Sequence, residues 1–268
     1  MEFSPERIFL NMVMTLDGKI TTRDGAGSKF ASQADQERML QIRSEADAII
    51  IGAGTAIADN PTFDLPAEYR TNRADKRIAS NPIKAVISGR GSVPSTLKMF
   101  NSNDSPALVF TTDQIKSNQY NDLHKVAEIH VVGKSEVDFT RIVEILTKEY
   151  DVKQLLIEGG GQVNFAAFKA GIVNEVCLTL SPKIAGGNIQ TMVEGTGFDF
   201  DSLVELELLN FQTVASEVFL HYRVIKKQIL TKDLVLHLSF DKDIGKVAKD
   251  LSKFGNHAEF NTIYERGN

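Results

Sequence analysis

A single acid, Glu158, stands directly before three successive glycines, Gly159–Gly161, in a chain of 268 residues. An apolar run precedes them at 155–157, and a helical pattern follows as far as Gly171. Glycines let another molecule approach the backbone closely, and the free N–H groups of a following helix attract anions. The stretch predicts a phosphate or pyrophosphate site beside an acid that binds a polar group or transfers a proton. A tight connection is the alternative, because the spacing fits neither the dinucleotide fingerprint nor the P-loop.

Alternating strands and helices must position this stretch. Short apolar runs recur along the chain, and Ser32 and Asp138 have the side chains expected at the start of helices. This alternation predicts an α/β fold with a mostly parallel central sheet, helices on both faces and a C-terminal antiparallel hairpin. The predicted strands are Ile8–Val13, Ala48–Ile51, Lys84–Ser88, Ala107–Thr111, Glu128–Val132, Glu175–Leu180, Val204–Phe211 and Phe219–Ile225.

Glycine-bearing turns follow three of the predicted strands. They are Gly52-Ala53-Gly54, Ser88-Gly89-Arg90 and Gly159–Gly161. Parallel sheets bind ligands beyond the carboxyl ends of their strands. Three anion-friendly turns at one edge favour a nucleotide-type ligand more strongly than any single turn does.

The composition excludes several classes of protein. The formal net charge is -5, with acids and bases interspersed, so neither a nucleic-acid surface nor a polybasic membrane patch is expected. No apolar run is long enough to cross a membrane. Cys177 is the single cysteine, which favours a reducing, cytoplasmic location. The five histidines show no paired metal spacing, and no metal is expected.

Two regions depart from the alternating pattern. Residues Phe63–Asn81 are polar and are predicted to form a solvated surface loop that carries Arg70 and Arg73. Residues 1–227 are assigned to one domain, and 228–268 to a tail that faintly resembles part of a laminin-G-like jelly roll. A tail or an added edge strand is favoured over a working carbohydrate module, because so short a segment cannot close a sandwich alone.

Several motifs together resemble the riboflavin-pathway pyrimidine reductase family, in particular its stand-alone archaeal and fungal type. The resemblance covers roughly residues 8–226. Its motifs are Asn11-x-x-Met14-Thr15-Leu16-Asp17-Gly18-Lys19, Ser28-Lys29-Phe30, Arg43-x-x-x-Asp47-Ala48-Ile49-x-x-Gly52-x-Gly54-Thr55-x-x-x-Asp59-Asn60-Pro61 and Ile157-Glu158-Gly159-Gly160.

This resemblance implies a dihydrofolate reductase-like fold, a homodimer and NADPH as the cofactor. The implied reaction reduces a ribosylaminopyrimidine 5′-phosphate to its ribitylamino product. The hairpin edge at Phe219–Ile225 is the expected dimer interface. The protein must then place two carbons in contact and handle a proton, because the cofactor supplies the hydride.

The resemblance also assigns roles to individual residues. Glu158 and Asn11 are the predicted catalytic residues, and Ser28, Arg43 and Phe63 are predicted to bind the substrate. Ser88 and Arg90 fall where the 2′-phosphate of NADPH would lie, a role that suits the planar guanidinium of arginine. The full set of predicted cofactor residues is Thr55, Asp59, Ser88, Arg90, Gly159, Gly160, Gly161 and Gln162.

One departure from the family pattern leaves the substrate open. Many members place an arginine for the substrate phosphate shortly after the motif that ends at Pro61, and this sequence has none there. Arg70 or Arg73 is the candidate replacement. The alternatives are a dihydrofolate reductase-like enzyme acting on a pterin, or a non-catalytic nucleotide- or carbohydrate-binding protein.

Overall fold

A nine-stranded sheet forms the centre of the described chain. The computed structural model describes residues 5–75, 79–101 and 104–226, and beyond them only two short strands. The sheet strands are β1 (Arg7–Thr15), β2 (Ala48–Gly52), β3 (Ile83–Ile87), β4 (Ala107–Thr111), β5 (Glu128–Val131), β6 (Gln154–Ile157), β7 (Glu175–Ser181), β8 (Leu206–Val214) and β9 (Glu217–Val224).

Six α-helices accompany these strands in the described ranges. Ser32 and Asp138 cap their helices as predicted, because each side chain accepts a hydrogen bond from a backbone N–H three residues on. The helices are α1 (Gln33–Glu45), α2 (Ala53–Asp59), α3 (Ala67–Asp75), α4 (Ser117–Leu123), α5 (Phe139–Tyr150) and α6 (Gly161–Lys169), with short 3-10 helices at Lys98–Phe100 and Phe200–Ser202.

The order of the strands brings the predicted site together. It runs β5-β4-β3-β2-β6-β1-β7-β9-β8, with parallel pairing from β5 to β7 and antiparallel pairing of β7, β9 and β8. The predicted α/β sheet with a C-terminal hairpin is therefore confirmed. Because β3, β2 and β6 are neighbours, their three glycine-bearing turns leave the same edge side by side.

Apolar clusters cover both faces of the sheet. One contains Ile8, Ile50 and Leu155 and packs against α5 and α6. The other contains Phe9, Ile49 and Leu156 together with Ile42 of α1 and Ala56 of α2. Successive strand residues point to opposite faces. Phe9 and Leu156 therefore lie on the face of the sheet that α1 and α2 cover.

Two predictions, one about the segment Phe63–Asn81 and one about the hairpin, are wrong. The polar segment Phe63–Asn81 is not wholly irregular, because it contains α3. The hairpin strand at Phe219–Ile225 is not an edge, because β9 pairs with β7 on one side and with β8 on the other. The open edge is β8, almost all of whose residues are exposed.

The chain divides into two compact units, Met1–Ile225 and Lys226–Asn268. In the second unit β10 (Val247–Ala248) pairs antiparallel with β11 (Ala258–Glu259). The remainder of the 228–268 tail, and with it the laminin-G-like resemblance, lies outside the described residues. In the described part of the chain, no helix has the length and apolar character that a membrane span requires.

Candidate active site

Arg43 and Glu158 form a two-pronged ion pair at the carboxyl end of β6. Arg43 Nε donates to Glu158 Oε1 and Nη2 donates to Oε2, both at 2.7 Å. Their side chains are only 13% and 8% exposed. The backbone N–H of Glu158 donates to the Ile50 carbonyl at 2.9 Å, which fixes the acid beside β2. The two carboxylate oxygens of Glu158 keep further lone pairs beyond those that accept from Arg43, and these can accept from a hydroxyl group.

The ring of Phe63 packs against the Arg43 side chain of this pair. Its ring lies 4.8 Å from the Arg43 guanidinium carbon, a cation–π contact, and its side chain is buried. Phe63 has a positive φ of 62°, which places it in the left-handed region. The backbone therefore turns sharply after α2, and this turn places the Phe63 ring against Arg43. Three residues predicted to form the site thus meet.

Asp59 lies close to the same pair. The residue as a whole is exposed, but its carboxylate packs against the backbone of Gly27, where an added Cβ would lie 2.1 Å from Asp59 Oδ1. Burial raises the pKa of Asp59, and the negative charge of Glu158 raises it further. The cations of Arg43 and Lys29 oppose these effects. The loop 22–31, which contains the half-buried Ser28, therefore borders the charged cluster.

Asn11 lies one strand away from Glu158. The pairing of Leu10 with Ile157 places the next residues of β1 and β6, Asn11 and Glu158, at the same level. Asn11 is half-buried and shares its strand face with Phe9, the face that α1 covers. Asn11 and Glu158 therefore face one region between the sheet and α1.

The glycine turn after Glu158 is packed too tightly for side chains. Gly159 has a φ of +83°, and a Cβ there would lie 2.9 Å from Met12 Sδ. A Cβ on Gly160 would lie 2.8 Å from Thr55 Oγ1 of α2. The Gly52 N–H donates to the Gly159 carbonyl at 2.6 Å, so the turns after β2 and β6 contact each other directly. Thr55 and Gly160 are thus brought together, as predicted for a shared ligand.

The start of α6 has no side-chain cap. Gly160 provides no side-chain cap, and Gln162 is exposed. Asn164 is fully buried and donates to the Met192 carbonyl at 2.7 Å, while its Oδ1 atom has no partner in the described residues. The carbonyl of Gly161 accepts a bond from the Glu194 N–H at 3.0 Å. Uncapped N–H groups at a helix start suit a phosphate group.

Ser88 and Arg90 lie at the exit of β3 and not in the Glu158 cluster. The Ser88 side chain is buried, and its Oγ accepts a bond from the Ser92 N–H at 2.9 Å within the turn. Arg90 is exposed in the same turn. Ser88 therefore shapes the turn, and Arg90 is the member of the pair with a free approach to a ligand.

Arg73 does not replace the missing phosphate arginine. It is 2% exposed and donates to the carbonyls of Ala79 at 2.7 Å, Ser44 at 2.8 Å and Ala46 at 2.7 Å. The hydrogen bonds of Arg73 therefore connect α3 to the C-terminal end of α1. The prediction of a solvated loop arginine is wrong because backbone carbonyls at the end of a helix need donors. Arg70 lies 3.8 Å from Asp104, at the surface.

The sequence matches the RibD C-terminal domain profile over residues 6–220. The chain belongs to this family. The match covers every element from β1 to α6, and with them the Arg43–Glu158 pair and the glycine turn. The resemblance to the riboflavin pyrimidine reductases is thereby confirmed, and with it an oxidoreductase family.

Two archaeal reductases align with this RibD C-terminal domain over most of their length. The chain is 30% identical over 219 residues to the 2,5-diamino-6-ribosylamino-4(3H)-pyrimidinone 5′-phosphate reductase of Methanothermobacter thermautotrophicus, covering 81% of this chain and 97% of that protein. It is 29% identical over 193 residues to the reductase of the same name from Archaeoglobus fulgidus, covering 71% and 87%.

A solved structure shares the fold. The pyrimidine reductase-like protein of Corynebacterium diphtheriae superposes with a TM-score of 0.72 at 23% identity, covering 82% of this chain and 92% of that one. The dihydrofolate reductase-like fold predicted for this RibD C-terminal domain is confirmed. Among the described residues no group of three or more His, Cys, Asp or Glu side chains could hold a metal ion.

Sequence reasoning missed a polar cluster next to the site. Asp35 and Arg38 of α1 meet Thr179 of β7 and Glu217 of β9. The spacing of Asp35, Arg38 and Ile42 on one helix face was the available signal. It was overlooked because the buried face of a helix is ordinarily apolar.

Proposed function

We propose that this chain reduces 2,5-diamino-6-ribosylamino-4(3H)-pyrimidinone 5′-phosphate with NADPH to the ribitylamino product. The observation that carries the proposal is the Arg43–Glu158 pair, held over Phe63 directly before the glycine turn. A carboxyl group paired with arginine thus stands beside a turn suited to a cofactor phosphate, which supports the proposal. The names of the two archaeal relatives supply the substrate.

Glu158 binds a hydroxyl of the opening ribose in this proposal. Its two oxygens accept from Arg43 and keep further lone pairs, so it orients the sugar by accepting from that hydroxyl. Asn11 contributes an amide at the same level of the sheet and helps to hold the sugar at the reacting carbon. Ser28, in the loop that borders Asp59, is proposed to close over the substrate.

NADPH supplies a hydride when it is bound, and the chain's part is to hold and orient it. The N–H groups at the start of α6 bind the pyrophosphate, with Gly160 and Gln162 at the contact. Thr55 and Asp59 hold the nicotinamide side from α2. Arg90, exposed at the neighbouring strand exit, pairs with the 2′-phosphate that distinguishes NADPH from NADH.

Turnover with both cofactors tests this proposal. The purified chain is mixed with the diaminopyrimidinone ribosylamine phosphate and either NADPH or NADH, and absorbance of the reduced cofactor is followed. We expect turnover with NADPH, and a kcat/KM at least about tenfold lower with NADH, because Arg90 loses its phosphate partner. Oxidation of NADPH with dihydrofolate and not with the pyrimidine would show a pterin reductase instead. Absence of both turnover and NADPH binding would contradict the whole assignment.

We also propose that the chain forms a homodimer through β8. This open edge strand carries exposed apolar side chains, and Phe211 is 64% exposed. Phe211→Glu is expected to convert dimer to monomer in sedimentation, because a carboxylate would be buried at the seam. Val131→Glu, at 52% exposure on the opposite edge strand, is the matched control. If Val131→Glu disrupted the dimer and Phe211→Glu did not, the dimer interface would not lie at β8.

A further inference from the structure

The segment that follows Pro61 offers no cation to a substrate phosphate. Its side chains Phe63 and Leu65 turn inward and are 1% and 3% exposed. The Leu65 N–H is occupied as well, because it donates to Asn81 Oδ1 at 2.9 Å. The two arginines of α3 contact backbone carbonyls and Asp104. A cation for a substrate phosphate must therefore come from another element.

The order of the strands separates a cofactor side from a substrate side. The proposed cofactor residues follow β3, β2 and β6, whereas Glu158 and Asn11 belong to β1 and the exit of β6. The next strand beyond β1 is β7, whose exit lies on the side away from Arg90. Because the proposed cofactor occupies one side of Glu158, the rest of the substrate extends to the other. Its phosphate is expected near the exits of β1 and β7.

Lys183 follows β7 and contacts the loop that precedes α1. Its Nζ atom donates to the Phe30 carbonyl. Its own carbonyl accepts from the Leu16 N–H at 2.9 Å, which holds the residue against the turn after β1. Lys183 is exposed, and its ammonium group lies beside the residue that follows Lys29. Two lysines that are far apart in the sequence are therefore brought together at the exit of β7.

Lys29 lies in a loop that borders the candidate active site. Gly27, two residues earlier, packs against the Asp59 carboxylate, where an added Cβ would lie 2.1 Å from Oδ1. Asp59 comes one helical turn after Thr55, which contacts Gly160, so both side chains lie on one face of α2. The loop therefore borders the same space as the glycine turn, and its Lys29 is exposed.

The two ammonium groups are available to an anion. In the part of the chain that the structure describes, no carboxylate oxygen lies within 4.0 Å of the Nζ atom of Lys29 or Lys183. A phosphate monoester carries nearly two negative charges at neutral pH, and lysine binds phosphate as a point charge. Two ammonium groups match this charge.

We propose that Lys29 and Lys183 bind the 5′-phosphate of the substrate, in place of the arginine that many family members carry after Pro61. The inference rests on the proposed function. An ammonium group has three donors, so Lys183 can keep its bond to the Phe30 carbonyl while it donates to the phosphate. A phosphate bound to both lysines joins the loop that carries Ser28 to the exit of β7.

The test compares kcat/KM for the ribosylaminopyrimidine with a 5′-phosphate and for the same compound with a 5′-hydroxyl. The wild-type chain is expected to prefer the phosphate form by about a hundredfold or more, since each charge-assisted bond contributes about tenfold or more. Lys29→Met and Lys183→Met are each expected to reduce this preference by about tenfold, and the double variant to remove most of it. A loosened loop would slow both compounds alike, so the ratio reports the phosphate contact.

Lys134→Met is the matched control. Lys134 is exposed and follows β5, at the other end of the same sheet edge. Its variant is expected to leave the ratio unchanged. NADPH affinity is expected to change by less than about threefold in every lysine variant. Calorimetric dissociation constants of both compounds accompany the rates, since binding needs no turnover.

The outcomes separate the inference from the proposed function. Equal use of both compounds by the wild-type chain, or a double variant that keeps the preference, overturns the inference. A loss of NADPH affinity that matches the loss of phosphate preference assigns the lysines to the cofactor and overturns it too. A wild-type chain that reduces neither compound contradicts the proposed function, and the calorimetric ratio then still decides whether Lys29 and Lys183 bind the phosphate.

Discussion

Glu158→Gln is expected to lower kcat/KM for the ribosylaminopyrimidine phosphate by about a hundredfold or more. A glutamine amide presents a donor to one prong of Arg43, so the two-pronged pair is broken, and one of the two acceptor oxygens is lost together with the negative charge. NADPH affinity is expected to change by less than about threefold, because the cofactor is assigned to the backbone of the glycine turn. Stopped-flow turnover and NADPH titration separate the two quantities.

Glu175→Gln is the matched control for this prediction. Glu175 pairs with Arg7 at 2.7 Å, but it begins β7, two strands away from β6, and lies level with Phe9 and Leu156. The control removes a carboxylate of the same type from an arginine pair and is expected to keep turnover. If Glu158→Gln weakened NADPH binding but left kcat normal at saturating NADPH, the acid would belong to the cofactor site.

Arg43→Met is expected to lower the free energy of unfolding by about 3 kcal/mol, because it leaves the Glu158 carboxylate buried without its partner. The side chain of Glu158 is 8% exposed, so water replaces little of the lost interaction. Methionine keeps the packing above Phe63 and removes the charge and the donors. Urea unfolding at neutral pH measures the loss.

The double variant Arg43→Met with Glu158→Gln separates stability from function. It removes the unpaired charge, so most of the lost stability is expected to return while turnover stays low. Stability losses that simply add in the double variant would mean that the two side chains do not act as a pair. Recovery of turnover along with stability would mean that neither group contacts the substrate.

Sequence reasoning succeeded where local chemistry decides the outcome. The glycines at Gly159–Gly161 predicted a turn between a strand and a helix because only glycine tolerates a close backbone contact, here with Met12 and Thr55. Apolar runs such as Ala48–Ile51 predicted strands buried on both faces. The convergence of Glu158, Arg43 and Phe63 depended on the family motifs, since no local pattern joins residues so far apart.

The failures have a common physical cause. The sequence predicts a surface cation at Arg73, because the buried partners of this side chain are backbone carbonyls, which every residue has and no sequence reveals. The position of β9 inside the sheet is equally hidden, because strand order is set by packing over the whole sheet. The contact of Asp35 with Thr179 joins a helix to a strand far along the chain, so no local pattern predicts it.

Transfer of deuterium from NADPH that carries two deuterium atoms at C4 of its nicotinamide tests the central claim most directly. The labelled cofactor is incubated with the chain and the diaminopyrimidinone ribosylamine phosphate, and the product is analysed by mass spectrometry and NMR. We predict one deuterium per product molecule, located at C1′ of the ribityl chain. Consumption of NADPH with no deuterium in the pyrimidine product, or label at any other carbon, would contradict the proposed reaction.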